Sequence, residues 1–363
     1  MLELQNVSKR VGAEFHIRDV SLRLEPGSLN VLLGPTLAGK TSLMRLMAGL
    51  DRPTEGSVLV DGKDVTGVPV QRRNVAMVYQ QFINYPTLTV YENIASPLRL
   101  SGVSKAQIDE EVQKAARLMQ LTEFLDRTPL SLSGGQQQRT ALARAVVKKA
   151  ALVLLDEPLA NLDYKLREEL REELPKIFAE SGTVFVYATT EPSEALLLGG
   201  NTAALSEGRV TQFAPTVDVF RQPVDITTAQ TFSDPPMNTI EVKKAKNTFH
   251  LGEAAQLVVP KGYWGLPDGA YTIGFRAHHL LMSRPPETTK NNPLKGTVTI
   301  TEITGSESFI HVSCAGQNWV MIARGVHNYD PGDAIEVFVD TRHLLVFDAE
   351  GTTIHSATEQ QAA

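Results

Sequence analysis

Residues 34–41 (GPTLAGKT) place two glycines, a lysine and a threonine at the spacing of a phosphate-binding loop, G-x-x-x-x-G-K-[ST]. An apolar run of strand length, residues 29–33, precedes the loop, and apolar residues at helical spacing follow it from Leu43. A helix start offers unpaired N–H groups and a positive dipole end to a polyphosphate. Lys40 can reach the terminal phosphates, and the Thr41 hydroxyl can bind Mg²⁺. The residues of this predicted ATP site are Gly34, Pro35, Thr36, Leu37, Ala38, Gly39, Lys40, Thr41 and Ser42.

Two adjacent carboxylates follow a second apolar strand, residues 151–155. Asp156 at the strand tip can bind Mg²⁺ directly or through water, and Glu157 can orient or deprotonate the attacking water. The alternative is a strand that happens to end in solvated acids. The phosphate loop in the same α/β unit favours the catalytic interpretation.

Ser133, Gly134 and Gly135 form a second candidate anion site, because they combine a hydroxyl with N–H groups at a predicted helix start. The alternative is a capped helix with a flexible first turn. Two such helix starts in one molecule suggest that two chains share a nucleotide, which these residues alone leave open.

Strands and helices alternate through the first two thirds of the chain, which predicts an α/β fold with a mostly parallel sheet covered by helices. Residues 15–18 and 20–24 are predicted to be separate strands. Helical apolar spacing and capping-box patterns within about residues 84–135 predict a helical insert in this domain.

Beyond a predicted linker at residues 232–238 the pattern contains only short strands and turns, which indicates a small β-barrel. We therefore predict one domain over residues 1–235 and a second over residues 236–363, with disorder in about the last dozen residues.

The net charge of −6 gives no bulk basic character, so we expect no nucleic-acid partner. Cys314 is the only cysteine and excludes an internal disulfide. No apolar run approaches the roughly 18 residues that a membrane helix needs, so any membrane role requires a partner protein.

Five motifs, taken together and in order, resemble the ATP-binding subunit of an ABC transporter. They are residues 34–41, 79–81 (YQQ), 132–139 (LSGGQQQR), 154–158 (LLDEP) and 160–163 (ANLD). The resemblance covers about residues 1–235 and implies a P-loop NTPase domain of ABC type that hydrolyses ATP.

The family pattern makes Gln80 the glutamine that senses Mg²⁺ and the membrane partner. It places the signature segment, residues 133–136, against the γ-phosphate bound by an opposite subunit, and Asp163 in the dimer-contact loop. The implied ligands of MgATP outside the phosphate loop are Gln80, Ser133, Gly134, Gly135, Gln136, Asp156 and Asp163. The resemblance also implies two integral-membrane permease subunits, a periplasmic binding protein reached through them, and a position at the cytoplasmic face of a bacterial inner membrane.

Four further segments resemble the ATPases of carbohydrate and polyol importers, which extends the resemblance to nearly the whole chain. They are residues 161–167 and 233–238, together with residues 274–280 and 302–307, which look like the OB-like C-terminal regulatory domain called TOBE. The combination is similar to one of the two ATPases of bacterial glycerol uptake systems.

Three positions depart from the family pattern. Thr190 stands where a histidine follows the strand after the catalytic glutamate, and threonine can neither carry positive charge nor span the same distance. Val11 occupies the position that stacks an aromatic ring on adenine, with Phe15 as an alternative if the loop is shifted. Leu37 stands where the family has glycine, which adopts positive φ at lower cost.

These departures predict that the chain's own site binds ATP but hydrolyses it poorly, and that a second, complementary ATPase pairs with it. An active homodimer is the alternative for the assembly. A non-hydrolysing regulatory subunit and a soluble ABC ATPase are the alternatives for the function.

Overall fold

The computed structural model describes residues 1–81, 83–160, 162–165, 167–172, 182–252, 255–285 and 293–354. The chain divides into two compact units, Met1–Val219 (unit 1) and Phe220–Ala363 (unit 2). The domain boundary after residue 235 and the extent of the helical insert stay predictions. Asn161 and residues 355–363, where most of the expected terminal disorder falls, lie outside the described residues.

The strands of unit 1 are β1 (Leu2–Val11), β2 (Glu14–Leu24), β3 (Leu29–Leu33), β4 (Glu55–Val60), β5 (Lys63–Asp64), β6 (Val75–Val78), β7 (Leu152–Asp156), β8 (Val184–Thr189), β9 (Asn201–Ser206) and β10 (Arg209–Pro215). Its helices are α1 (Lys40–Ala48), α2 (Val90–Leu100), α3 (Lys105–Leu118), α4 (Gly134–Val147) and α5 (Pro192–Leu198). Helix α6 (Thr216–Arg221) contains the point of division.

A six-stranded sheet, ordered β10-β9-β3-β8-β7-β6, is parallel except for β10. Strands β7 and β8 are buried along their whole length, as expected when both faces of a parallel sheet are covered. Ligands bind such sheets at the carboxyl ends of the strands. At that edge the chain presents the phosphate loop after β3, Gln80 after β6, Glu157 after β7 and Thr190 after β8.

A second sheet, ordered β2-β1-β4-β5, is antiparallel. The prediction of two strands at residues 15–18 and 20–24 is wrong, because β2 is continuous. Asp19 joins its halves with a left-handed backbone (φ 48°), and the Asp19 N–H donates to the Ser8 hydroxyl at 3.0 Å. The chain therefore bends at Asp19 without leaving its pairing with β1.

Unit 2 begins with the end of α6 and continues through α7 (Ile226–Thr231). Its strands are β11 (Asn238–Ala245), β12 (Thr248–Leu251), β13 (Ala255–Val258), β14 (Gly269–Phe275), β15 (Leu280–Leu281), β16 (Leu294–Ile303), β17 (Glu307–Cys314), β18 (Gln317–Arg324), β19 (Ala334–Val339), β20 (Leu345–Phe347) and β21 (Thr353–Ile354).

Two antiparallel sheets, β13-β12-β11-β14-β20-β21 and β15-β19-β16-β17-β18, share the core of unit 2. Trp319 packs edge-on against Phe275 at the centre of this core, with ring centroids 5.0 Å apart. Strand β18 lies beside β15, so the five-stranded sheet nearly closes. This confirms the predicted OB-like structure of the C-terminal region.

Candidate active site

The Lys40 ammonium is folded back into the phosphate loop. It donates to the carbonyl oxygens of Gly34 at 2.7 Å and Pro35 at 3.0 Å, and the side chain is only 5% exposed. Burial lowers the pKa of Lys40, although the carboxylates of Glu157 and Asp156 act in the opposite direction. The loop thus holds one concentrated positive charge at the start of α1.

Two glycines let the phosphate loop lie directly against neighbouring backbone. A Cβ at Gly34 would come within 2.4 Å of the Leu205 carbonyl oxygen, and one at Gly39 within 2.8 Å of the His16 carbonyl oxygen. Gly39 also has a φ of 104°. Since no side chain fits at either position, only glycine lets the loop pack this closely against the backbones of β9 and β2.

Leu37 adopts the left-handed conformation whose cost we expected from the sequence. Its φ is 69° and its side chain is 95% exposed, so no packing within the chain offsets the strain. The cost of this conformation for a residue with a Cβ is roughly 1–2 kcal/mol. Leu37 is thus a strained residue at the tip of the phosphate loop.

The Thr41 hydroxyl donates to Asp156 Oδ2 at 2.7 Å, which joins the start of α1 to the end of β7. Burial raises the pKa of Asp156, opposed by the hydrogen bond from Thr41 and by the charge of Lys40. A hydroxyl and a carboxylate at this distance form the donor set that suits Mg²⁺, a cation that binds few protein oxygens and completes its shell with phosphates and water. These residues therefore fit a magnesium ion.

Glu157 lies at the centre of the charged groups. Its Oε2 accepts a 2.8 Å hydrogen bond from Gln80 Nε2, and its Oε1 is 3.8 Å from Lys40 Nζ. Burial raises the pKa of Glu157, and the charge of Lys40 opposes this, whereas Asp156, Glu194 and Glu191 raise it further. Its backbone is left-handed, with a φ of 46°. The structure thus brings the predicted Gln80, Lys40 and Glu157 together.

Thr190 is exposed at the end of β8, in a turn held by buried groups beneath it. The neighbouring Thr189 hydroxyl donates to Glu194 Oε2 at 2.6 Å and accepts the Glu191 N–H at 3.0 Å. Arg171 Nη2 donates to Glu194 Oε1 at 3.0 Å.

The Tyr187 hydroxyl also donates to Glu194, which is itself only 4% exposed. Sequence reasoning missed this network. The position of Glu194, five residues after Thr189, could have indicated the hydrogen bond between these two side chains. No nearby residue indicated that Arg171 would join them.

The signature segment begins α4 with the capping box that its sequence allows. Ser133 Oγ accepts the Gln136 N–H at 3.3 Å, and Gln136 Oε1 accepts the Ser133 N–H at 2.9 Å. Among the described residues, no hydrogen bond or ion pair joins Ser133 to residues 34–41. Asp163 is exposed, and its charge opposes the burial that lowers the pKa of Arg139 on α4.

The two candidates for base stacking differ in their surroundings. Val11 is 51% exposed at the end of β1. Phe15 is 36% exposed, and the guanidinium groups of Arg10 and Arg18 lie 4.7 and 5.2 Å from its ring centroid. Phe15 therefore already carries two cation–π contacts.

Two family models match this chain. The model described as ABC transporter matches residues 17–160, and the model described as TOBE domain matches residues 273–347. No helix in the described part of the chain is both long and apolar enough to cross a membrane.

Two relatives match nearly the whole chain. The trehalose/maltose import ATP-binding protein MalK of Thermococcus litoralis is 34% identical over 361 residues, which cover 96% of this chain and 97% of that protein. The sn-glycerol-3-phosphate import ATP-binding protein UgpC of Salmonella typhi is 35% identical over 354 residues, with coverages of 96% and 98%.

A solved structure is similar to part of the chain. The dimeric ATP-binding cassette MJ0796, in a post-hydrolysis state with ADP and Pi, superposes with a TM-score of 0.55 at 29% identity. The superposed region covers 60% of this chain and 99% of the MJ0796 chain.

Proposed function

Because this chain belongs to the family of ABC transporter ATP-binding proteins, we propose that it energises a bacterial importer of a carbohydrate or a glycerol-like polyol. Whole-length similarity to relatives named for the import of a disaccharide and of glycerol phosphate supports this substrate class. The chain would bind at the cytoplasmic face of the inner membrane to two permease subunits, which receive substrate from a periplasmic binding protein.

The phosphate loop and Lys40 bind the polyphosphate of ATP. The backbone N–H groups at the start of α1 would donate to the phosphates, and the Lys40 ammonium, which donates to the Gly34 carbonyl oxygen in this structure, would turn to reach them. When bound, Mg²⁺ supplies charge neutralisation at the phosphate oxygens, and Thr41, Asp156 and the Gln80 amide are its proposed protein ligands.

Glu157 receives the proton of the attacking water. Its raised pKa suits a general base that works near neutral pH, and Gln80 and Lys40 orient the carboxylate through one contact to each of its oxygens. The strained backbone at Glu157 is consistent with a residue that the surrounding structure fixes in place for function.

One observation carries the proposal that this site hydrolyses ATP slowly. Glu157 faces the negative charges of Asp156, Glu191 and Glu194, and the exposed side chain beside them is the neutral Thr190. Charge that develops on the γ-phosphate therefore lacks a second cation from the turn after β8.

We further propose a heterodimer with a second ATPase subunit. Among the described residues, no hydrogen bond or ion pair joins Ser133 to the chain's own phosphate loop, as expected of a segment that completes the site of a partner subunit. A complementary subunit with a histidine at the position of Thr190 would then carry most of the turnover.

Steady-state ATPase activity of the purified chain, alone and with its co-expressed partner ATPase, tests the heterodimer. We expect weak activity alone and restoration with the partner, and robust turnover by the chain alone would favour the active homodimer. Co-purification with integral membrane proteins separates the importer from a soluble ABC ATPase.

Substitutions in the assembled complex test the inequality of the two sites. Glu157→Gln should scarcely lower turnover, whereas the equivalent change in the partner should abolish it; equal losses would mean that this site is catalytic. Changing Ser133 or Gly135 should impair the partner's site, and unchanged turnover would argue against sharing. Nucleotide trapping at each site would identify a non-hydrolysing regulatory subunit.

A further inference from the structure

Gln138 connects α4 to the turn that carries Glu157. Its side chain is buried, at 1% exposure, and its Nε2 donates to the carbonyl oxygen of Pro158, the residue after Glu157. The other amide atom, Oε1, is buried and has no hydrogen-bond partner among the described residues. An unpaired buried acceptor costs roughly 1–3 kcal/mol. The hydrogen bond to Pro158 is therefore made at the cost of an unpaired acceptor on the same amide.

The turn that receives this hydrogen bond, residues 156–160, is defined here as the catalytic turn. The Glu157 N–H donates to the Ala188 carbonyl oxygen at 3.0 Å, and the Ala160 N–H donates to the Glu157 carbonyl oxygen at 3.4 Å. Glu157 itself has the left-handed φ of 46°. A strained residue keeps its conformation only when several contacts fix the backbone around it. The Gln138 amide is the side-chain contact from α4 that helps to do so.

Helix α4 is a firm support for this contact, because it is tied elsewhere to functional segments. Asn84 Nδ2 donates to the Gln137 carbonyl oxygen at 2.9 Å, and Arg144 Nη2 donates to the Ile83 carbonyl oxygen. Both partners belong to the segment that follows Gln80. The Ser133 segment lies at the start of the same helix, about 7.5 Å along the axis from Gln138.

We propose that Gln138 is a positioning residue for ATP hydrolysis: through the Pro158 carbonyl it fixes the catalytic turn and so the Glu157 carboxylate, and it joins this turn to the helix that begins with the Ser133 segment. Gln138 does not touch the nucleotide. This inference rests on the proposed role of Glu157 as the base.

Gln138→Met tests the proposal, because methionine keeps the length and volume and removes the amide. The variant also removes the unpaired Oε1, so its thermal stability should change little. Thr140→Val is the matched control. Thr140 is equally buried on α4, and its hydroxyl donates to the Gln136 carbonyl oxygen at 2.8 Å, away from the catalytic turn.

Single-turnover hydrolysis with excess enzyme measures even a slow site, and we compare the variants in the wild-type chain and in a Thr190→His background. Gln138→Met should lower the hydrolysis rate at least tenfold and leave the Kd of MgATP unchanged, since misplacement of a catalytic group by about 1 Å can cost 100-fold. Thr140→Val should lower the rate less than twofold. Equal rates in Gln138→Met and its parent would overturn the proposal.

Hydrogen exchange gives a readout that does not depend on activity. In Gln138→Met the amides of the catalytic turn, those of Glu157 and Ala160, should exchange at least tenfold faster, and in Thr140→Val they should keep the wild-type rate. Faster exchange without a change in hydrolysis would show that the turn is held by Gln138 but that Glu157 is not the base. Unchanged exchange would refute the positioning role itself.

Discussion

The Glu157 carboxylate lies 3.8 Å from the Lys40 ammonium, and the two side chains are 20% and 5% exposed. Burial pushes each pKa toward the neutral form, raising that of Glu157 and lowering that of Lys40, while each charge favours the other. Each group thus stays charged in this partly buried place because the opposite charge lies beside it. Removal of either one leaves a charge in a poorly hydrated place.

A double-mutant cycle tests this mutual dependence in the nucleotide-free chain. Lys40→Met and Glu157→Gln should each change the unfolding free energy, and the double variant should be at least about 1 kcal/mol more stable than the sum of the single effects predicts. Calorimetry measures the unfolding free energy of unit 1. Tryptophan fluorescence does not report on this unit, because Trp264 and Trp319 are both in unit 2. Additive effects would contradict the coupling.

The strain at Leu37 gives a second prediction. Leu37→Gly should stabilise the nucleotide-free chain by about 1 kcal/mol, because glycine adopts a φ of 69° without a Cβ clash. It should leave MgATP binding, measured as the Kd of a fluorescent ATP analogue, nearly unchanged, since the nucleotide-free chain already carries the strain.

Leu37→Ala separates backbone strain from the exposed side chain. Alanine removes most of the side chain and keeps the Cβ, so its stability and Kd should stay close to those of the wild type. If alanine stabilised the chain as much as glycine, the isobutyl group rather than the backbone would be responsible.

Much of the site could be predicted because its information is local. Each chemical group follows its own strand within a few residues, and the parallel order of those strands brings their ends to one edge. The strain at Leu37 could also be predicted locally, since a residue with a Cβ in a glycine position implies strain wherever it occurs. The error in the neighbouring antiparallel sheet, the split of β2, came from treating Asp19 as a break when its left-handed backbone is accommodated by the Ser8 hydroxyl.

The rest depends on contacts between residues far apart in the chain. Arg171 and Glu194 are 23 positions apart, and Gln138 reaches Pro158 across 20. Each of these residues looks unremarkable in its own helix or turn. Sequence spacing predicts which face of an element is apolar, but it does not predict which buried polar group will meet which partner.

The Arg171–Glu194 pair is a buried ion pair and should behave as one. Glu194→Ala should lower the unfolding free energy of unit 1 by about 3 kcal/mol, because it leaves the Arg171 guanidinium without its most buried partner. Glu168→Ala is the matched control, since Glu168 binds the same arginine at 2.6 Å but is 38% exposed. It should cost less than about 1 kcal/mol, and equal losses would contradict the importance of burial.

The neutral residue at position 190 gives a fourth prediction. Thr190→His should raise ATP turnover by the purified chain at least tenfold, because it adds a cation and a hydrogen-bond donor beside Glu157. Thr190→Asn is polar without charge and should stay near the wild-type rate. Unchanged turnover in Thr190→His would locate the cause of slow hydrolysis elsewhere, with Leu37 as the next candidate.

A cluster of imidazoles in unit 2 predicts a specific loss of stability in mild acid. His279 stacks on His343 with ring centroids 4.3 Å apart and contacts the His278 ring at 4.1 Å. Burial lowers the pKa of His279 to about 3, and His278, His343 and Arg276 act in the same direction, whereas Asp340 opposes them. Its Nδ1 is buried without a partner among the described residues.

His279 is therefore protonated in the unfolded chain below about pH 6.5, whereas in the folded chain it is protonated only below about pH 3. The stabilisation is complete above about pH 6.5 and is lost as the pH falls, at up to about 1.4 kcal/mol per pH unit. Unfolding of unit 2, followed by tryptophan fluorescence, should accordingly lose stability between about pH 6.5 and 5.

His279→Phe keeps a ring in the stack and cannot titrate, so this variant should reduce the pH dependence of unit 2 in that window; His278, whose pKa burial also lowers, contributes the remainder. His250→Phe removes a histidine from β12, outside the cluster, and should leave the slope unchanged. A wild-type slope that persists in His279→Phe would show that the acid sensitivity of unit 2 arises from other groups.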